Sequence, residues 1–211
     1  MKQNGLIYIC FKRVMDVFIG LFGTIFIVLP SSLIIYIIYK IKGYNGSVFF
    51  TQYRVGLKGK KFKIIKFRSM VENAEEVLAA NKALYEKYIN NSYKLPPNED
   101  PRLTNIGDFI RKTSIDEIPQ FINLMLGDMS LIGPRPILEN ELEEYSKEEQ
   151  PVLLSVRPGI TGMWQVSGRS EVYYPERCEM ELYYPRNQSF LLDVKIFFLT
   201  IKKVLSGEGA H

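Results

Sequence analysis

Asp116 and Glu117 stand side by side within Arg111-Lys112-Thr113-Ser114-Ile115-Asp116-Glu117-Ile118-Pro119-Gln120. Adjacent carboxylates can divide two tasks. One, ionised, attacks as a nucleophile, while the other holds a hard cation such as Mg²⁺ on a diphosphate. Ser114 or Asp116 is expected to be the N-cap of a helix ending before Gly127, with Pro119 favouring the later start. Either start leaves both carboxylates beside helix amides whose dipole favours negative charge by about 0.3–1 kcal/mol. Taken alone, the pair is better read as ordinary helix capping.

Cations of the kind that grip phosphate accompany the acids. Arg135 lies in Gly133-Pro134-Arg135-Pro136, where two prolines restrict the backbone around one guanidinium. Arg157 opens Arg157-Pro158-Gly159-Ile160-Thr161-Gly162, a similar device, and a plain turn is the competing reading of each. Lys66 and Arg68 extend a cationic segment, with a solvated sheet edge near lipid headgroups as its alternative. Asp16 follows Lys12-Arg13 just before an apolar run, and a salt bridge with Arg13 or a neighbouring base is expected to account for it.

The scarce residues narrow the chemistry. The one histidine is His211, the last residue, so His-based triads and His-rich metal sites are excluded. Cys10 and Cys178 are far apart and form no CxxC, which argues against a zinc site or a disulfide framework. Gly56-Leu57-Lys58-Gly59-Lys60 is a poor imitation of a P-loop. Any catalysis therefore falls to carboxylates, arginines, lysines and a metal ion.

The elements that must position these groups begin with an uncharged run from Val17 to Tyr39, long enough for a membrane helix and too long for a signal-peptide core. Pro30, near its middle, removes one amide donor and predicts a sharp bend. The limbs on either side of Pro30 are about 20 Å and about 14 Å long, so neither alone crosses a hydrocarbon core of about 30 Å. Lys12-Arg13 precedes the run and Lys40 and Lys42 follow it, so a helix that enters, bends and returns to one face satisfies both positive flanks. A kinked spanning helix and a buried core helix are the competing readings.

Downstream, Ser47–Gln52 and Lys61–Arg68 read as a strand pair with a cationic face. Residues 71–89 read as an acidic helix and 90–100 as a loop. Gly107–Arg111, Ile118–Leu126 and Ile137–Gln150 read as further helices, and Leu191–Leu205 as an interfacial one. The fold class expected is α+β: a membrane-embedded helix over 1–42, then a mainly helical cytoplasmic catalytic domain over 43–211 with a small β element. Overall composition is ordinary, at 46% hydrophobic and 24% charged residues, but the placement of charge is not. Residues 1–70 contain a single acid, Asp16, among many lysines and arginines, whereas the remainder is net acidic. An anionic membrane surface would select that asymmetry; a nucleic-acid partner would not.

In their order, these segments resemble the bacterial sugar transferases known as monotopic phosphoglycosyl transferases. The resemblance rests on Lys12-Arg13 with Asp16, Gln52-Tyr53-Arg54-Val55-Gly56, the 62–70 and 110–120 segments, Gly127-Asp128-Met129-Ser130-Leu131-Ile132-Gly133-Pro134-Arg135-Pro136, the Arg157 loop and Trp164-Gln165-Val166-Ser167-Gly168-Arg169. It runs from about residue 11 to 205. It implies attack by Asp116 on the β-phosphate of a UDP-sugar with release of UMP, then transfer of the phosphosugar to polyprenol (undecaprenyl) phosphate. It implies Mg²⁺ on Glu117, and phosphate binding by Arg111 and Arg135, with Lys66, Arg68 and Arg157 as softer assignments. The family bends its re-entrant helix at a Ser-Pro pair, whereas this chain has Leu29-Pro30-Ser31.

The acidic stretch at about 71–100, an insertion by this resemblance, and the Trp164 segment look like those of family members that transfer galactose or glucose and unlike those using N-acetylated diamino sugars. The expected setting is the cytoplasmic face of the bacterial inner membrane, at the first membrane step of surface glycan assembly. UDP-sugar, polyprenol phosphate and membrane lipids are the expected partners, and a homodimer is left open. A non-catalytic membrane scaffold and a peripheral lipid- or nucleotide-binding module are the readings from other classes. The intact Asp116-Glu117 pair argues against the first.

Overall fold

A computed structural model describes residues 5–91, 95–168 and 172–206. Among these, helices and two small sheets alternate in an α+β arrangement. Arg169 of the Trp164 segment and His211 lie outside the described residues.

Leu6–Ile41 is one continuous apolar helical run. It comprises α1 (Leu6–Gly23), a π-helical turn (Thr24–Val28) and α2 (Leu29–Ile41). The π turn ends at Val28, two residues before Pro30, whose missing amide donor falls in the first turn of α2. The Ser31 and Ser32 hydroxyls donate back to the carbonyls of Ile27 and Val28. Much of the run is uncovered, from Leu6, Ile7 and Phe11 through Phe18, Phe22 and Phe26 to Leu33 and Ile34. Its remaining face packs on the rest of the chain. Gly20 and Gly23 let α1 approach α6 (Gln120–Leu126) so closely that a Cβ on Gly20 would lie 2.5 Å from the Met125 amide nitrogen. At the other end, Ile35 and Tyr39 pack with Phe67, and the Tyr39 hydroxyl donates to the Arg68 carbonyl.

The strand pair expected from alternation is present as β1 (Phe49–Val55) antiparallel to β2 (Lys61–Phe67). Phe62 and Ile64 turn inward onto Met129, and Lys66, two residues on, shares their face. The opposite edge of β2 is closed by a side chain. The Asn123 carboxamide of α6 accepts from Ile65 N at 2.9 Å and donates to Lys63 O at 2.7 Å, as a neighbouring strand would. A second sheet pairs β3 (Ser130–Ile132) in parallel with β4 (Gly159–Thr161), bringing the two proline-flanked arginine loops together. Alternation over three residues is too short to have signalled it.

Several expected helices differ. The 71–89 segment divides into α3 (Ala74–Ala79) and α4 (Lys82–Asn90), where the Asn81 side chain caps α4 by accepting from Leu84 N. Ile137–Gln150 is not a helix. Ile137 bridges to Val55, Asn140–Glu144 is a 3₁₀ turn and only Glu149–Leu153 (α7) is helical beyond it. The reason is Glu141, whose buried carboxylate accepts from Leu138 N and faces two arginines instead of projecting from a helix surface. α5 (Gly107–Lys112), α8 (Met163–Ser167) and α9 (Glu176–Asn187) complete the body. The last helix, α10 (Phe190–Ser206), lies where a helix was expected, with Phe190, Leu191, Phe197, Phe198, Ile201, Val204 and Leu205 exposed.

α10 docks on the start of α1: Asp193 accepts from Tyr8 Oη at 2.6 Å and pairs with Lys12 Nζ at 3.0 Å. Among the described residues Asp16 has no ion-pair partner, contrary to expectation. Its buried carboxylate accepts the Leu131 backbone N–H at 2.9 Å, fastening α1 to β3.

Candidate active site

Ser114 ends the turn after α5 in the left-handed conformation, at φ 56° and ψ 18°. That reversal throws Ile115-Asp116-Glu117 into a single 3₁₀ turn whose Ile115 faces the Phe67 cluster. Asp116 is thereby buried against β2, and Lys66 meets it. The Lys66 amine lies 3.2 Å from Asp116 Oδ2 and 2.9 Å from Glu117 Oε1, so one cation serves both carboxylates.

This corrects the expected role of the helix. α6 begins at Gln120 with Pro119 at its N-cap, and neither Ser114 nor Asp116 caps it. Asp116 precedes the helix, so the dipole acts on it only weakly. Burial pushes the Asp116 carboxyl above the usual aspartate range, Lys66 opposes that shift, and Glu117 reinforces it. The lysine on β2 is therefore what favours the ionised form of Asp116.

Arg111 also acts on Asp116 by its charge. Its guanidinium is partly exposed and lies 3.8 Å from Oδ2 of the buried Asp100. Asp100 in turn binds Arg102 through two contacts of 2.7 Å, and the Arg102 guanidinium lies over the Tyr88 ring at 5.0 Å. The acidic insertion thus folds back onto the site through Tyr88.

Lys66, Asp116, Glu117 and Arg111 come together. The other three anticipated cations lie elsewhere in the network. Arg68 is buried, pairs with Glu72 at 3.1 Å and stacks over Tyr39, which fastens β2 to α2. Arg157 donates from Nε to Gly127 O at 2.9 Å, beside the Arg13 contacts to Leu124 O and Met125 O, so two arginines satisfy the end of α6. Arg135 lies 5.4 Å from the centroid of the Trp164 ring, and its backbone N–H donates to Glu181. The residues not anticipated are Asn123, Asp100, Arg102, the partly buried Arg54 and the buried Glu141, Arg177 and Glu181. The i, i+4 spacing of Arg177 and Glu181 on one helix was the available signal.

Among the described residues no group of three or more His, Cys, Asp or Glu side chains converges on a metal site. Asp116 and Glu117 supply hard oxygens, with the Glu117 side chain 27% exposed. Such a set suits Mg²⁺ shared with substrate phosphates and does not suit a cage built by protein alone.

The model of a family described as bacterial sugar transferase matches residues 7–207. The undecaprenyl-phosphate galactose phosphotransferase of Salmonella typhimurium is 42% identical over 203 residues, covering 95% of this chain and 41% of that protein. The exopolysaccharide production protein ExoY of Sinorhizobium fredii is 40% identical over 204 residues, covering 95% and 88%. The UDP-glucose:undecaprenyl-phosphate glucose-1-phosphate transferase of Klebsiella pneumoniae is 37% identical over 218 residues, covering 99% and 43%. The chain therefore spans about two fifths of the length of the named galactose and glucose enzymes and most of the length of ExoY.

Proposed function

The chain belongs to the bacterial sugar transferase family, and on that footing we propose that it moves a sugar-1-phosphate from a UDP-sugar to undecaprenyl phosphate at a membrane surface. The observation that carries the reading is the Lys66 amine held between Asp116 and Glu117, with Arg111 beside them. The donor is a UDP-hexose, galactose or glucose, in keeping with the names of the relatives.

In the first step an Asp116 oxygen attacks the β-phosphorus. The bridging P–O bond breaks, UMP leaves with the bonding electrons, and a phosphosugar remains esterified to Asp116. In the second, a phosphate oxygen of undecaprenyl phosphate attacks the same phosphorus. The bond to Asp116 breaks, its carboxylate is restored, and the lipid carries the new diphosphate. No proton needs to be removed from an acceptor that is already an anion. Lys66 and Arg111 favour ionised Asp116 and offset the repulsion between it and an anionic donor. Glu117 would hold Mg²⁺, which supplies charge neutralisation on the diphosphate when bound. Arg135 and Arg157, on loops joined by the β3–β4 pair, are assigned to the donor's phosphates. Arg68, tied to α2, is assigned to holding β2 and only indirectly to substrate.

The N-terminal helix is read as re-entrant. Arg13 anchors it to α6 at one end and Tyr39 to Arg68 at the other, so both limbs meet one body. The rise from Gly23, packed on Phe121, to Ile35 is about 18 Å, less than the hydrocarbon core of about 30 Å. The exposed apolar face of α10 adds a second membrane contact, and the catalytic body is assigned to the cytoplasmic face.

The test is UMP release by the protein in lipid with Mg²⁺, undecaprenyl phosphate and a panel of UDP-sugars, beside Asp116→Asn. Release with one hexose, lost in the variant, supports the assignment. Undiminished release by Asp116→Asn overturns it.

A further inference from the structure

Arg135 sits in a backbone gripped from two sides. Its own N–H donates to Oε2 of Glu181 on α9 at 2.7 Å. The carbonyl of Pro136, the next residue, accepts from Nη1 of Arg54 on β1 at 3.3 Å. The two gripping side chains are joined behind the loop. Arg54 pairs with Glu141 at 3.3 Å, Glu141 with Arg177 at 3.5 Å, and Arg177 with Glu181 at 3.6 Å, which closes a ring. Arg177 and Arg135 both lie over the Trp164 ring, at 4.4 Å and 5.4 Å, so the ring and the loop share one aromatic platform.

Such a cluster is a poor way to gain stability. Arg177 and Glu181 are buried to 2% and 1% exposure, and desolvating charges offsets most of what their pairing returns. The hydrogen bonding is also incomplete: Arg54 Nε, Arg177 Nε and Nη2 and Glu181 Oε1 are buried without a hydrogen-bond partner among the described residues. What the ring does supply is geometry. Pro134 and Pro136 restrict φ on either side of Arg135, Gly159 N donates to Pro134 O at 2.8 Å, and the ring restrains the peptide groups that remain.

We propose that Arg54, Glu141, Arg177 and Glu181 are positioning residues that pre-orient the Arg135 guanidinium on Trp164 for the diphosphate of the nucleotide donor. This rests on the reading of Arg135 as a donor ligand. Pre-orientation removes ordering cost at binding, so its loss is read in donor affinity and not in fold.

The experiment is a double-mutant cycle on UDP, the moiety common to the candidate donors, with Kd from calorimetry on the protein in nanodiscs. Trp164, the only tryptophan of the chain, gives an emission readout of the same event. Glu181→Met is expected to weaken UDP binding about tenfold, and Glu181→Gln, which keeps an acceptor for the Arg135 N–H, to restore most of it. In an Arg135→Ala background Glu181→Met should add almost nothing, since there is no guanidinium left to orient. Arg54→Met, which releases the loop from the other side, should behave the same way and serves if Glu181→Met does not fold. Additive losses on Arg135→Ala, or unchanged Kd in both Met variants while Arg135→Ala is weakened, would overturn the positioning role. Unchanged UDP affinity in Arg135→Ala would instead remove the donor-ligand reading, and the proposal with it.

Discussion

The Lys66 amine lies 3.2 Å from Oδ2 of the buried Asp116. Burial raises the Asp116 pKa and Lys66 opposes the rise, so the lysine favours the ionised carboxylate. Lys66→Met should slow UMP release about 10²-fold, typical of losing a charge aimed at the reacting groups. The sign of the accompanying pH effect follows from the same contact. Without the cation the carboxyl is harder to ionise, so the acid limb of the rate profile should move to higher pH. An unshifted limb would mean that Lys66 serves only Glu117 or the donor.

Asn123 acts as the missing neighbour strand of β2. Asn123→Leu keeps the volume but leaves Ile65 N–H and Lys63 C=O buried without partners. Each such group costs about 1–3 kcal/mol, so a loss of about 2–6 kcal/mol is expected in denaturant unfolding. Lys66 follows immediately on the same strand, so turnover should fall with stability.

The contact of α1 with α6 depends on the absence of a side chain at Gly20. In Gly20→Ala the new Cβ meets Met125 backbone at 2.5 Å, and backbone cannot rotate away. The helix and α6 must separate, at a cost of about 1–3 kcal/mol. A lowered melting temperature in detergent with weakened activity is expected. A variant as stable as wild type would show that the two helices are not held at this spacing.

Glu181 is fully buried, and its carboxyl is pushed from the usual 4.5 to about 6, chiefly by desolvation. Between those values the folded protein holds more protons than the unfolded chain, so stability falls as pH rises through the window. The contribution is about 2 kcal/mol. Glu181→Gln removes the titration. The stability of wild type relative to this variant should therefore decline by about that amount between pH 4 and pH 7.

If the N-terminal helix returns to the face it entered, Gly5 lies on the cytoplasmic side. In a Cys10→Ser background, where the remaining Cys178 is buried, Gly5→Cys should react with an impermeant maleimide only after cells are opened. Reaction on intact cells would establish a spanning helix.

Local pattern carried much of the architecture. Alternation predicted β2, an apolar face predicted α10, and an uncharged run bounded by lysines and arginine predicted the long apolar N-terminal helix, because each depends on neighbours along the chain. The Asp116-Glu117 pair, too, stood out by adjacency alone. Where a helix was read over 137–150, pattern failed because Glu141 turns inward to Arg54 and Arg177, residues far away in sequence. Arg68 looked equivalent to Lys66, two positions earlier, yet one faces Asp116 and the other Glu72 and Tyr39. Residue type and spacing thus determined which groups could do chemistry. Which cation meets which carboxylate was decided only by tertiary packing, since a buried charge must find its partner in space and sequence records only position along the chain.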